Sequence, residues 1–314
     1  MAFTQSVNFS GTLASTTTLT NSSQTSGQLQ GHKVSKQKEA LSQVPQDASV
    51  SSITAQIAKA SLSPCAPRRE KNAKVQHQAG LAVLEGCTFR GNERVLDVGC
   101  GTGKTTAAVA ARVPYGEVVG LGVSADVIQE AKKNYGTIRN LSFVHQDATD
   151  LHFDKKFDVI LSFFAVHWMK DPEAAFRKFH DALRPGGRII LRMSGGPQPE
   201  FREVFNSKPW VSRVKKTWQE KTTPEYAELL EKAGFQNMDA RTEWRTSTFE
   251  SKKDFLKYLM AWMPHCSGLP QAEAEQLSRA IIDRIMQDQS NTNGPIKLQW
   301  PWTFIQARTT GSKL

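Results

Sequence analysis

The residues of this 314-residue chain that best combine type and spacing for chemistry are Arg94-Val95-Leu96-Asp97-Val98-Gly99-Cys100-Gly101-Thr102-Gly103-Lys104-Thr105-Thr106. An apolar, β-branched run ends in three alternating glycines and passes straight into an alanine-rich segment. Glycines there permit positive φ and let a ligand touch the backbone. The helix that follows offers unpaired N–H groups at its start. Two ligands suit such a turn. One is a phosphate chain, because Gly101-Thr102-Gly103-Lys104-Thr105 copies the end of a phosphate-binding loop. That motif needs another glycine five positions before Gly103, where Val98 stands, so the match fails. No later apolar strand closes on an acid suited to Mg²⁺ either, since Asp158 opens its strand. The other ligand is a nucleoside without phosphates, and Asp97 is placed to take part in holding a positively charged tail on it.

Such a turn needs a sheet to present it. Short β-branched runs at Arg94–Val98, Glu117–Leu121, Leu141–Val144, Phe157–Phe163 and Arg188–Met193 alternate with amphipathic segments. That alternation predicts parallel pairing through right-handed crossovers. A helix is expected over Asp171–Leu183, with Asp171 as cap, Pro172 in the first turn and Phe176, Phe179 and Leu183 on one face. Pro185-Gly186-Gly187 stops it and feeds the next strand. Gln76–Leu84 reads as a short helix before the first strand. Further helices are expected at Pro224–Ala233, Lys252–Met263 and Gln271–Met286, with strands near Met238–Trp244 and Ile296–Ala307. The fold class is therefore α/β, a doubly wound, Rossmann-like, mostly parallel sheet with helical cap insertions at about 194–222 and 250–290. Such a cap would cover the sheet's carboxyl edge, where ligands of these folds bind. Residues 1–65 form a separate Ser/Thr-rich tail, expected to be disordered because it lacks apolar surface to offset its ordering entropy, and 66–314 form the domain.

The glycine turn resembles motif I of the class I S-adenosylmethionine-dependent methyltransferases, and the resemblance runs from Gln76 through Met193 and more weakly to the C-terminus. It implies S-adenosyl-L-methionine as cofactor, held by Asp97, Gly99, Cys100, Gly101 and Gly103 and by residues after the next strands: Gly122 and Val123, Asp147 and Ala148, Ser162 and Phe163. Asp147 matches the family acid that accepts from the adenine amino group, with the Ala148 N–H beside the ring. Ser162-Phe163-Phe164-Ala165-Val166-His167-Trp168 is similar to the segment of small-molecule carboxyl methyltransferases, of the trans-aconitate and juvenile hormone acid types, that meets the methyl acceptor. His167 and Trp168 are accordingly the candidate catalytic residues, with Gln76 on the preceding helix as a third. One position departs from the pattern: Gly122 stands where the family has an acid that binds both ribose hydroxyls. Losing two charge-assisted bonds is worth roughly 2–4 kcal/mol, about 30- to 1,000-fold in affinity.

Composition limits what this domain can be. No run approaches the roughly 18 apolar residues of a spanning helix, so an integral membrane protein is not expected. Forty Lys and Arg against thirty Asp and Glu give a net charge of +10, which permits an acidic partner. Cys65, Cys87, Cys100 and Cys266 form no CxxC pair, and the histidines show no metal spacing, so no metal is expected. The chain reads as a methyltransferase acting on a small molecule, a carboxylic acid in the first instance, in the cytoplasm. Three alternatives stand beside it. Gly122 motivates a degenerate cofactor-binding protein without turnover. The net charge motivates an RNA or protein substrate, although Ser162-Phe163-Phe164-Ala165 is not the segment of amino-base methyltransferases and nucleic acid is not the expected partner. The acid-poor start of the chain motivates an organellar or secreted address, against which stand the lack of Arg before Arg68 and of an apolar core to the segment.

Overall fold

The computed structural model describes residues 6–7 and 80–311, apart from 154, 155, 197, 216, 220 and 289–293. Seven strands form one twisted sheet: β1 (Arg94–Val98), β2 (Glu117–Gly122), β3 (Leu141–His145), β4 (Phe157–Phe163), β5 (Leu183–Ser194), β6 (Gln236–Phe249) and β7 (Ile296–Arg308). Their order is 3-2-1-4-5-7-6, and a two-residue strand, Ser6–Val7, adds in parallel beside β6. The chain order reverses between β1 and β4, which makes the end of β1 the topological switch point where ligands of open α/β sheets bind. Pairing is parallel except along β7, which runs antiparallel between β5 and β6.

Helices cover both faces. On one face α1 (Lys104–Arg112), α2 (Ala125–Tyr135) and the helical residues 80–85 bury Ala107, Ala110, Ile128 and Leu84 against Val95, Val118 and Val159. On the other, α3 (Pro172–Ala182) and α5 (Thr223–Lys232) bury Phe176, Phe179, Tyr226 and Leu230 against Leu96, Ile160 and Leu191. Strands buried on both faces read as continuous apolar runs, which is why β1 and β4 are so plain in the sequence. A third core lies beyond the sheet, built by α4 (Pro199–Asn206), α6 (Lys252–Met260), α7 (Met263–Ser267) and α8 (Gln271–Asp288) around Phe205, Phe255, Met263 and Leu277. It hangs from the overhanging ends of β6 and β7, where Phe249 pairs with Ile296. Because β5 and β6 both point their carboxyl ends to that side, these helices sit over the carboxyl edge.

Local chemistry explains most boundaries. Asp171 accepts from Ala174 N and starts α3, as expected. The helix expected over Lys252–Met263 divides into α6 and α7, because Pro264 lacks the N–H that would continue it. The Pro185-Gly186-Gly187 turn is absorbed into β5 as an irregularity: Phe157 pairs with Leu183 but Val159 with Arg188, and Gly186 takes φ +76°. β6 extends well beyond Met238–Trp244. Its sequence is mostly polar, and it is held by a long ladder to β7 rather than by alternating burial.

Candidate active site

The turn after β1 holds Gly99, Gly101 and Gly103 at φ +80°, +53° and +83°. Gly99 N and Cys100 N both donate to Leu121 O, at 2.7 and 3.0 Å, which folds the turn back over the end of β2. The three glycines are required for different reasons. A Cβ at Gly99 would lie 2.1 Å from the Ala165 Cβ, and one at Gly103 would lie 2.7 Å from the Phe143 ring. A Cβ at Gly101 would meet nothing within 4 Å. Gly101 therefore faces open space, with bare backbone presented to whatever enters it. Beneath the turn, Asp97 is buried and accepts 2.7 Å from Thr106 Oγ1. Burial pushes its carboxyl up to about 6, with the Thr106 hydrogen bond acting in the opposite sense. No cation pairs with Asp97 among the described residues. A buried acid under an open glycine turn fits the ammonium end of an amino-acid-bearing nucleoside. Cys100 is buried and its thiol is pushed up by that burial and by Asp97, so the sulfur is inert filling under the turn.

The neighbouring strand ends line the same edge. Gly122 closes β2; its carbonyl accepts from Gln146 N at 3.0 Å, and its open side faces Ile128 and the Cys100 sulfur. Val123 is exposed, and its carbonyl lies 3.0 Å from His145 Nε2. Asp126 falls in the first turn of α2. Asp147 caps the 3₁₀ turn Ala148–Asp150: its Oδ1 accepts from Thr149 N at 2.8 Å and from Thr149 Oγ1 at 2.7 Å. Those bonds hold its carboxyl below the ordinary range and fix its direction. Ala148 is buried in the core beneath it.

The third group follows β4. The Ser162 hydroxyl is buried and donates 2.8 Å to Val98 O, so it ties β4 to β1 and is not free for a ligand. Phe163 is half-buried and packs against the helical residues at Gly80. Phe164 takes φ +57°, a left-handed conformation that costs a non-glycine residue energy, and donates its N–H 2.6 Å to Arg192 O. The sharp bend this creates carries Val166–Trp168 over the edge as a 3₁₀ turn. His167 is buried, which drives its imidazole down to about 4, and its Nδ1 has no hydrogen-bond partner among the described residues. Trp168 leans on the cap core. A strap of the chain ties cap to loop: Lys215 N and Thr217 N donate to Ser267 O and Cys266 O on α7, and Gln219 N donates 2.6 Å to His167 O.

The structure thus brings Asp97, the three glycines, Gly122, Val123, Asp147, Ala148, Ser162, Phe163, His167 and Trp168 to one edge of the sheet. Gln76 lies outside the described residues. Sequence reasoning missed Thr106, whose hydroxyl is committed to Asp97, and Arg192, whose carbonyl anchors the Phe164 bend. Neither carries a local signal, because the partner is nine residues away in one case and on another strand in the other.

Fold, turn and flanking strand ends are similar to those of class I S-adenosylmethionine-dependent methyltransferase domains. Residues 95–187 match the family described as Methyltransferase domain. The chain is 29% identical over 197 residues to a malonyl-[acyl-carrier protein] O-methyltransferase of Xylella fastidiosa, covering 61% of this chain and 66% of that protein, just under two thirds of its length. It is 26% identical over 219 residues to the juvenile hormone acid O-methyltransferase of Bombyx mori, covering 64% and 78% of the two chains. The crystal structure of the YcgJ protein of Bacillus subtilis superimposes with a TM-score of 0.57 at 21% identity, over 75% of this chain and 100% of that one. Among the described residues no helix is long and apolar enough to cross a membrane.

Proposed function

We propose that this protein transfers a methyl group from S-adenosylmethionine to the carboxylate of a small organic acid. One observation carries the reading: the loop that ends β4 places a buried, uncharged imidazole and an indole between the glycine turn and an aromatic-lined cap. When bound, S-adenosylmethionine supplies a methyl group on a sulfonium, which needs only an aligned nucleophile about 3 Å away and exclusion of water. A carboxylate is already nucleophilic and needs no base. The chain's own residues then act by placement. Asp97 pairs with the cofactor's ammonium and Asp147 accepts from its adenine amino group. Ala148, Val123, Gly122 and the glycine turn shape the nucleoside bed. The Trp168 indole N–H donates to the acceptor carboxylate. His167, neutral because it is buried, donates a second hydrogen bond without placing a cation beside the departing positive charge. Phe163 and the capping helices keep water out.

Both O-methyltransferase relatives are named for acid-bearing acceptors, and a closed aromatic site suits a small, partly apolar acid better than a nucleic-acid strand. The test is transfer of tritium-labelled methyl from S-adenosylmethionine to pooled organic acids, followed by mild alkali. Methyl esters release volatile label under base, whereas methyl ethers and amines do not. Base-stable label overturns the carboxylate assignment, and no transfer at all favours the second reading. That reading is a binding protein without turnover, and Gly122, which lacks the ribose-holding acid, is what favours it.

A further inference from the structure

Along β7 the residues Trp300, Trp302 and Phe304 point to one face, and each meets a different environment. Phe304 belongs to the body core and Trp300 packs against the cap core. Between them, around Trp302, the structure places charged groups. The pairing register sets Arg192 of β5 and Arg241 of β6 on either side of Phe304, with Glu243 opposite Trp302 and Arg245 opposite Trp300. Arg192 Nη1 and Arg245 Nη2 share one oxygen of Glu243, at 2.7 and 2.9 Å, while Arg241 Nε reaches the other at 3.2 Å and also pairs with Asp239. Three guanidinium groups thus meet two carboxylates. The Arg192 side chain is only 5% exposed. Among the described residues, its Nε and that of Arg245 are buried without an acceptor. The aromatic faces of Trp302 and Phe304, 5.5 and 5.7 Å from the Arg192 guanidinium carbon, favour its charge but accept no hydrogen bond in the guanidinium plane.

A buried cationic donor left unpartnered is costly, and surplus positive charge in a half-buried cluster raises that cost. The cluster also lies next to the loop that follows β4. Phe164 stacks edge-on against Trp302 with centroids 5.1 Å apart, and Phe164 N donates to Arg192 O. We infer that Arg192, Arg241 and Arg245 form an anion subsite between body and cap, which takes a second anionic group, a carboxylate or phosphate, at the far end of the methyl acceptor. Glu243 orients the guanidinium groups and competes with that anion for them. The inference rests on the methyltransferase reading for what the rest of the acceptor meets, but the subsite itself is read from these side chains. It assigns the acceptor as a doubly anionic molecule whose reactive carboxylate lies at Trp168 and whose other end is neutralised by these arginines.

The test is calorimetric titration of the full chain, with S-adenosylhomocysteine first and then adipate, hexanoate or inorganic phosphate. Adipate is expected to bind at least ten-fold more tightly than hexanoate, and phosphate is expected to compete with adipate. Arg241→Gln combined with Arg245→Gln, at positions more exposed than Arg192, should reduce adipate to the hexanoate level. Glu243→Gln should tighten adipate several-fold, because it removes the internal competitor; a purely structural ion-pair cluster would instead lose stability with no gain in affinity. Equal binding of the two acids, selectivity that survives the arginine changes, or weaker adipate binding in Glu243→Gln overturns the subsite. A chain that binds adipate in this pattern but not S-adenosylhomocysteine keeps the subsite and loses the methyltransferase reading. One that binds S-adenosylhomocysteine without telling the acids apart loses the subsite alone.

Discussion

Restoring an acid at the end of β2 tests the cofactor site most directly. Gly122 lies outside the positive-φ glycines, so an L side chain meets no backbone strain there. A Cβ at that position would stand 3.1 Å from Ile128 Cδ1, 3.6 Å from Ile128 Cγ1 and 4.0 Å from Cys100 Sγ. The tight contact is with the tip of a buried isoleucine, whose adjustment by a few tenths of an ångström costs about 1 kcal/mol. Against that, two charge-assisted bonds to ribose hydroxyls contribute roughly 2–4 kcal/mol. The balance is a gain of about 2 kcal/mol, or about 30-fold tighter S-adenosylhomocysteine in Gly122→Asp. The assay is isothermal titration near neutral pH, with Gly122→Ala as control, since it imposes the same steric cost and offers no carboxylate. Gly122→Ala should bind no better than the native chain. If Gly122→Asp is also flat or weaker while its melting temperature is unchanged, another group holds the ribose, and the alignment of this strand end with its relatives is wrong.

The other expectations follow from the same geometry. Gly101→Ala meets no neighbouring atom, so it should cost only the roughly 1–2 kcal/mol of its positive φ and still abolish S-adenosylhomocysteine binding, whereas Gly99→Ala should collide with Ala165 and lower the melting temperature far more. Asp97, raised to about 6, must lose its proton to pair with an ammonium, so cofactor affinity should fall toward ten-fold per pH unit below about 6. The same shift has a stability sign: its contribution is present below the unfolded value of 3.8 and lost as pH rises through about 6, so Asp97→Asn should flatten that part of the stability profile. His167, lowered to about 4 from 6.5, acts oppositely, contributing stability above 6.5 that is lost as pH falls toward 4; His167→Gln should flatten that acid limb in pH-dependent melting. Trp168→Phe keeps the ring and loses the N–H donor, so KM for an acidic acceptor should rise with little change in cofactor affinity.

Much of this protein is legible in its residues alone, and the reason is burial. Strands sandwiched between helices must be apolar along their whole length, so β1, β2 and β4 stand out, and a turn that requires positive φ three times within five residues must declare itself in glycines. The cap of Asp171 is likewise local, since one side chain suffices to set it. Roles that depend on partners far along the chain are not legible. Ser162 reads as a candidate ligand to the cofactor, yet its hydroxyl is committed to Val98 O across 64 residues. Arg192 at the end of an apolar run and Arg241, Glu243 and Arg245 in a mostly polar strand look like ordinary charge until β7 enters between β5 and β6 and gathers them around Trp302. Charge has no periodicity that announces a partner. Only the register of three strands, set by hydrogen bonds that every residue can make, decided which of forty basic side chains would be gathered around one carboxylate.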